Sequence, residues 1–198
     1  MSWPCMTPLY PNQTEALPLP GMVSFGGTML ILLSGLPGTG KSTIADGIGR
    51  ARQIPVFSVD PIESAIILGG IPASFETGLA AYLVARTLAD RSLDIGLDAV
   101  IDAVNSMDQA RDMWRELAAK HAVELGIIEC VVSDERVHQT RVASRERGLA
   151  LAEPSWDDVE RRRLEWTPWP ERHLTLDAVD SSGFNLARAL AYVERPPS

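Results

Sequence analysis

The stretch that most restricts what this chain can fold into is Gly35 to Thr43, Gly-Leu-Pro-Gly-Thr-Gly-Lys-Ser-Thr. It satisfies the phosphate-binding pattern G-x-x-x-x-G-K-[ST]. An apolar run, Met29-Leu-Ile-Leu-Leu33, precedes it, and a helix-compatible stretch, Ile44 to Arg52, follows. That strand–loop–helix context turns a pattern match into a candidate site. Gly35, Gly38 and Gly40 permit unusual backbone angles and close approach. Backbone N–H groups within the candidate ATP-binding stretch Gly35, Leu36, Pro37, Gly38, Thr39, Gly40, Lys41, Ser42 and Thr43 can then converge on an anion at the positive end of the next helix. Lys41 supplies a point charge for the β- and γ-phosphates, and Ser42 a hydroxyl for Mg²⁺. The chain has only two lysines, Lys41 and Lys120, among 18 Lys and Arg. A lysine at this position in so arginine-rich a chain is hard to treat as incidental.

Around the loop, strand-like and helix-like patterns alternate, which predicts an α/β fold with a mainly parallel sheet. Strands are expected near 29–34, 55–59, 98–103, 124–132 and 172–178. Helices are expected over 41–52, 61–68, 75–92, 107–120, 134–147, 156–165 and 184–194. Residues 1–28 read differently: Pro4, Pro8, Pro11, Pro18 and Pro20 fall in a segment without period. They form an expected irregular arm, with a single domain over 29–198. Net charge of −8 disfavours a long nucleic acid as the main partner, since phosphate binding wants a basic face. Cys5 and Cys130 have no metal or redox spacing, and Cys130 reads as a buried apolar residue. The three histidines are scattered. No apolar stretch nears the ~20 residues that span a bilayer, and no signal-peptide pattern opens the chain, so no membrane partner and a cytoplasmic location are expected, as a monomer or homodimer.

In parallel α/β sheets the ligand sits outside the carboxyl ends of the strands. That rule selects Asp60, after Val56-Phe-Ser-Val59, and Asp102, after Ala99-Val-Ile101. Asp60 could accept the proton of a hydroxyl facing a γ-phosphate, or cap a helix that Pro61 begins; the roles are compatible. Asp102 has the form of an acid that holds Mg²⁺ through water, or is an ordinary polar strand end. Asn105 touches an acceptor or opens the loop. Arg141 and Arg145, at i and i+4, would share a helix face and could clamp phosphoryl oxygens. Arg136 and Arg147 fit a solvated face paired with glutamates. Trp156, Trp166 and Trp169 fit either a small helix packed on its neighbours or an acceptor or nucleic-acid contact.

With these residues placed, the chain resembles the small P-loop kinases of the ATP-binding protein/kinase group, relatives of polynucleotide 5′-kinase, gluconate kinase, chloramphenicol phosphotransferase and zeta toxin. The resemblance runs from about Met29 to Val193. Gly35–Thr43 is strong but shared by many nucleotide hydrolases. Asp60, Val100-Ile-Asp102-Ala-Val-Asn105, Arg141-x-x-x-Arg145 and the tail Leu176-Asp-Ala-Val-Asp180-Ser-Ser-Gly183 are more particular. The resemblance implies a three-layer αβα sandwich on a five-stranded parallel sheet of order 2-3-1-4-5, with a helical lid at about 134–153. It implies ATP and Mg²⁺ as cofactors and phosphoryl transfer to a hydroxyl of a small-molecule acceptor. It further implies that Asp60 is the acceptor-side acid, that Arg141 and Arg145 are lid arginines, and that the tail lies near the adenine. A nucleic-acid 5′-hydroxyl kinase and a non-enzymatic ATP-dependent switch are the alternatives. A GTPase is disfavoured by the lack of an Asn-Lys-x-Asp motif, and a motor ATPase because Ala103, not a glutamate, follows Asp102.

Overall fold

A computed structural model describes residues 27–194. Positions 1–26, most of the expected N-terminal arm, lie outside the described residues. Five parallel strands form one sheet: β1 (Met29–Ser34), β2 (Val56–Ser58), β3 (Ala99–Asp102), β4 (Glu124–Val131) and β5 (Leu174–Asp177). Their order is β2-β3-β1-β4-β5, and every pairing is parallel. The sheet is thus the expected P-loop architecture, with helices on both faces.

The sequence of β1 explains its central place. All six residues are buried, because a strand covered on both faces needs no polar alternation. Side chains nevertheless alternate between two cores. Leu30 and Leu32 pack with Ile101 and Ile127 against α3 (Phe75–Asp94) and α4 (Asp108–His121). Ile31 and Leu33 pack with Val100, Ile128 and Leu176 against α1 (Lys41–Arg52) and α7 (Ser182–Glu194). On α3, Ala81, Ala85 and Ala89 recur every four residues and are fully buried. Their small size on one helical stripe lets that helix lie close on the sheet.

Among the element boundaries that differ from the sequence reading, two have a clear local reason. The helix α2 (Val59–Leu68) begins directly after β2. Ser58 is its N-cap and Asp60 lies in its first turn, so Asp60 is not the cap. Pro61 is accommodated because first-turn N–H groups have no intrahelical partner. The helix α5 (Glu135–Ala143) is shorter than expected. Asp134 caps its start by accepting from the Val137 N–H, and the chain leaves the helix at Ser144. The helix α6 (Trp156–Leu164) starts where the sequence reading put it, at a capping box of Ser155 and Asp158. Among the described residues, no helix is long and apolar enough to cross a membrane.

A buried polar network supports the end of β1. Asn105, at φ 55°, donates from Nδ2 to the Leu33 carbonyl at 3.0 Å and accepts on Oδ1 from Trp114 Nε1 at 2.9 Å. Arg111, 1% exposed, donates to the Asn105 carbonyl at 2.9 Å and to the Thr167 carbonyl at 2.8 Å. Its guanidinium lies 4.1 Å from the centre of the Trp169 ring. Trp169 in turn donates to Ser34 Oγ at 3.1 Å. The Trp-Pro segment after α6 therefore packs on its neighbours, the first of the two readings of its tryptophans. A buried guanidinium without these carbonyls and rings would carry a large desolvation cost. Replacing Asn105 with Ala strands the buried Trp114 N–H, takes one of two donors from the Leu33 carbonyl, which keeps the Ala103 N–H, and puts an alanine at positive φ. The variant is expected to lose about 3 kcal/mol of stability, read as a lowered urea midpoint at unchanged slope.

Candidate active site

The phosphate-binding loop runs from the buried end of β1 into α1, whose N-cap is Gly40 at φ 82°. Gly35, at φ 150°, lies so close to β4 that a Cβ would collide with the Cys130 carbonyl. Its N–H donates to the Val104 carbonyl at 3.2 Å. Thr39 closes the turn from within, its hydroxyl donating to the Leu36 carbonyl at 2.8 Å. Gly38, at φ 84°, faces α5: a Cβ there would stand 2.9 Å from Val142 Cγ2 and 3.3 Å from His138 Cδ2. Pro37 is buried under the same helix. Ser42 and Thr43 are exposed at the start of α1.

Strand register aligns the acids with this loop. Leu33 pairs with Asp102, and Asp102 with Ser58, so the three strands end level. A cavity of about 230 Å³ lies there, and Lys41, Ser42, Ser58, Asp60, Asp102 and Arg147 are among its lining residues. Lys41 is 4% exposed. Burial pushes its pKa down, opposed by the carboxylates of Asp102 and Asp60. Asp102 is 6% exposed; its Oδ2 accepts from the Ser58 hydroxyl at 3.0 Å. Its Oδ1 is buried with no hydrogen-bond partner. An unpaired carboxylate oxygen and the Ser42 hydroxyl in one cavity are hard oxygen donors, a set that fits Mg²⁺.

The segment after α5 covers this cavity. Arg147 Nη1 pairs closely with Asp60 Oδ2, and Arg145 Nη2 stands 3.9 Å from the same oxygen. Glu153 joins both guanidiniums, at 3.1 Å from Arg147 Nε and 3.7 Å from Arg145 Nε. The Ala150 N–H donates to Ser64 Oγ at 2.8 Å, fastening the segment to α2. Burial lowers the pKa of Arg145. Burial works the same way on Arg147, but Glu153 and Asp60 outweigh it and hold the guanidinium's pKa above its usual value.

The structure brings Gly35 to Thr43, Asp60, Asp102 and Arg145 together. Arg141 and Arg145 do not share a helix face, because α5 ends at Ala143. Arg141 instead donates to the Ala178 carbonyl at 2.7 Å, in the loop after β5. Asn105 turns inward, fully buried with its amide engaged, so it holds the loop rather than facing an acceptor. Arg147 is the residue that sequence reasoning assigned to a solvated face. Its only sequence signal was Gly148 beside it, which at φ 65° turns the chain back over α2. A second, apolar cleft of about 190 Å³ opens near the end of β3, lined by Phe75, Leu79, Tyr82 and Met107. Tyr82 accepts from the Asn105 N–H, and burial raises its pKa to about 12.

Cys130, under Gly35, is the loop's neighbour on β4. Burial raises its thiol pKa to about 12, so thiolate forms only far above neutral pH. In a Cys5→Ser background, Cys130 is expected to ignore a disulfide reagent at pH 8 until urea unfolds the protein. Rapid labelling of the native protein would contradict the packing described.

The AAA domain family matches residues 30–165, and the chain belongs to that family. No curated protein sequence matches the chain. Among solved structures, a provisionally assigned kinase from Chloroflexus aurantiacus J-10-fl is 20% identical, with a TM-score of 0.69, over 84% of this chain and 99% of its own. A gluconokinase from Sinorhizobium meliloti 1021 is 19% identical, with a TM-score of 0.62, over 85% and 92%. An APS kinase from Mycobacterium tuberculosis, in complex with AMPPNP and APS, is 16% identical, with a TM-score of 0.63, over 85% and 98%. At these identities the likeness is one of fold. Despite the family's name, the position after Asp102 holds buried Ala103, not the glutamate expected of a motor.

Proposed function

We propose that this chain is an ATP-dependent phosphotransferase that moves the γ-phosphoryl group of ATP to a hydroxyl of a small-molecule acceptor. The observation that carries the reading is the meeting of Lys41, Asp60, Asp102 and Arg147 around one cavity at the strand ends. A hydrolase or switch needs the donor half of that set; Asp60 adds an acceptor half. The family match and the fold shared with kinases support it.

The loop from Gly35 to Thr43 holds the phosphates through backbone N–H groups and the positive end of α1. Lys41 meets the β- and γ-phosphate charge. Its buried ammonium acts at low effective dielectric, where charge stabilisation is strongest. Ser42, and Asp102 through water, would hold Mg²⁺, which when bound neutralises charge on the β- and γ-oxygens. Asp60 orients the acceptor hydroxyl and takes its proton as the oxygen bonds to the γ-phosphorus and the bond to the ADP oxygen breaks. Arg145 and Arg147 stand where charge gathers on the transferring oxygens. Arg147 pairs closely with Asp60, so an entering acceptor exchanges that ion pair for its own hydrogen bond. Arg141 lies against the loop after β5, the side on which the adenine is expected. The apolar cleft beside β3 favours an acceptor whose hydroxyl is carried on an apolar body.

ATP consumption measured against alcohols, nucleosides, sugars and 5′-hydroxyl oligonucleotides tests the reading: it is expected to rise only with a small hydroxyl acceptor. Lys41→Ala should lower turnover by at least about a hundredfold with the fold intact. Asp60→Asn keeps size and loses the base. It should bind Mg²⁺–ATP within about threefold of the parent and lose about a hundredfold in kcat. An Asp60→Asn protein with full kcat would remove the acceptor-side acid from the mechanism.

A further inference from the structure

We propose that His138 is a positioning residue: it pins the Pro37 carbonyl, and with it the turn of the phosphate-binding loop, through a neutral ring that Arg163 keeps in the Nε2–H form. The inference rests on the reading that this loop binds ATP.

His138 sits on α5 and is 2% exposed. Its Nε2 lies 2.7 Å from the Pro37 carbonyl oxygen, and its Nδ1 lies 3.2 Å from Arg163 Nη2 on α6. A carbonyl only accepts and a guanidinium only donates. Both contacts are satisfied in one state alone, with the proton on Nε2 and a lone pair on Nδ1. The Trp156 ring meets the imidazole edge-on at 5.2 Å and lies 5.2 Å from the Arg163 guanidinium, which closes the arrangement from the side of α6.

The Pro37 carbonyl matters because of what lies across its peptide bond. In a trans peptide the C=O and the following N–H point in opposite directions. Holding the Pro37 carbonyl toward α5 therefore aims the Gly38 N–H away from α5. Gly38, at φ 84°, has little intrinsic preference between peptide orientations. A flipped peptide would present an oxygen, not an N–H, on the side where phosphate is expected. His138 removes that choice, so the glycine that gives the loop its shape is not free to spoil its polarity.

The charged groups around the ring favour the same state. Burial lowers its pKa most; the Pro37 contact opposes this, Arg163 and Arg141 add to the lowering, and Glu160 opposes it weakly. With the folded value below the ordinary ~6.5, the neutral ring prevails above pH 6.5. The arrangement persists below pH 6.5 and is lost only as pH falls through the lowered value, where Nδ1 gains a proton and faces the Arg163 cation.

Two measurements test this. In the ligand-free protein, ¹⁵N-histidine NMR at pH 7 is expected to show His138 protonated at Nε2 and bare at Nδ1. A charged ring or an Nδ1–H form would overturn the proposal. Calorimetric titration with Mg²⁺–ATP then compares variants. His138→Ala is expected to weaken binding about tenfold, of the order of one lost buried hydrogen bond. His138→Gln places an amide N–H near the same carbonyl and should stay within about threefold. Between pH 7.5 and 6.5 the parent and His138→Gln should lose affinity alike, through the nucleotide's own titration, because the buried ring is still neutral there. Equal affinity of His138→Ala and parent, or a parent that loses more affinity than His138→Gln between pH 7.5 and 6.5, would sink the idea. If His138→Ala does not fold, the NMR form and the comparison with His138→Gln decide alone. If the parent shows the expected ring form yet binds no ATP, the ATP reading fails while the pin on Pro37 stands.

Discussion

Everything at this site depends on three parallel strands ending level. The pairing of Leu33 with Asp102 and of Asp102 with Ser58 is a constraint carried by the backbone ladders. It places the loop's first glycine, the metal-fitting carboxylate and the hydroxyl that braces it at one edge of the sheet. Because side chains alternate along a strand, a slip of one residue in β3 would turn Asp102 to the opposite face and bring Ile101 to the strand tip. The buried β1 run and its two separate cores hold that register. The Asn105–Trp114–Arg111 network then fixes the chain as it leaves β3, so that the loop from Asp102 onward is supported from beneath by satisfied polar groups.

On this frame the protein keeps several charges out of water, and each is matched differently. Arg111 is met by carbonyls and two tryptophan rings, away from the cavity, and serves the fold. Lys41 sits among Asp60 and Asp102, whose carboxylates oppose the downward push of burial on its pKa. Arg145 and Arg147 are shared between Asp60 and Glu153. The last arrangement is exchangeable: two cations and two anions in contact lose little when one partner is replaced by a ligand oxygen. A site that must accept a highly charged nucleotide benefits from such pairs, because the cations are already desolvated and oriented.

Much of this was legible in the sequence, for identifiable reasons. The apolar run before Gly35, the complete loop pattern and the alternation of periods disclosed the parallel sheet and the loop, while the strand order followed from the resemblance to P-loop kinases. Asp60 and Asp102 were found by the rule that ligands gather at strand ends. What sequence could not show was where α5 stops. Spacing of four makes Arg141 and Arg145 neighbours only if the helix continues, and it ends at Ala143; Arg141 and Arg145 then diverge to Ala178 and Asp60. Arg147 was hidden for the same reason, since its partner lies 87 positions away. Asn105 has a polar side chain at a strand end, like the two acids, yet its amide is consumed by Leu33 and Trp114, contacts across 72 and 9 positions. Periodicity carries local order; it does not carry which distant group a loop side chain meets.

The central claim is that the cavity passes phosphate to a hydroxyl rather than to water. Following a mixture of the protein, Mg²⁺–ATP and an acceptor set by ³¹P NMR tests it most directly, because the spectrum reports where the phosphorus goes. The account predicts ADP together with a phosphomonoester resonance, and little inorganic phosphate. ADP with inorganic phosphate alone, or ATP that persists unchanged while bound, would contradict it.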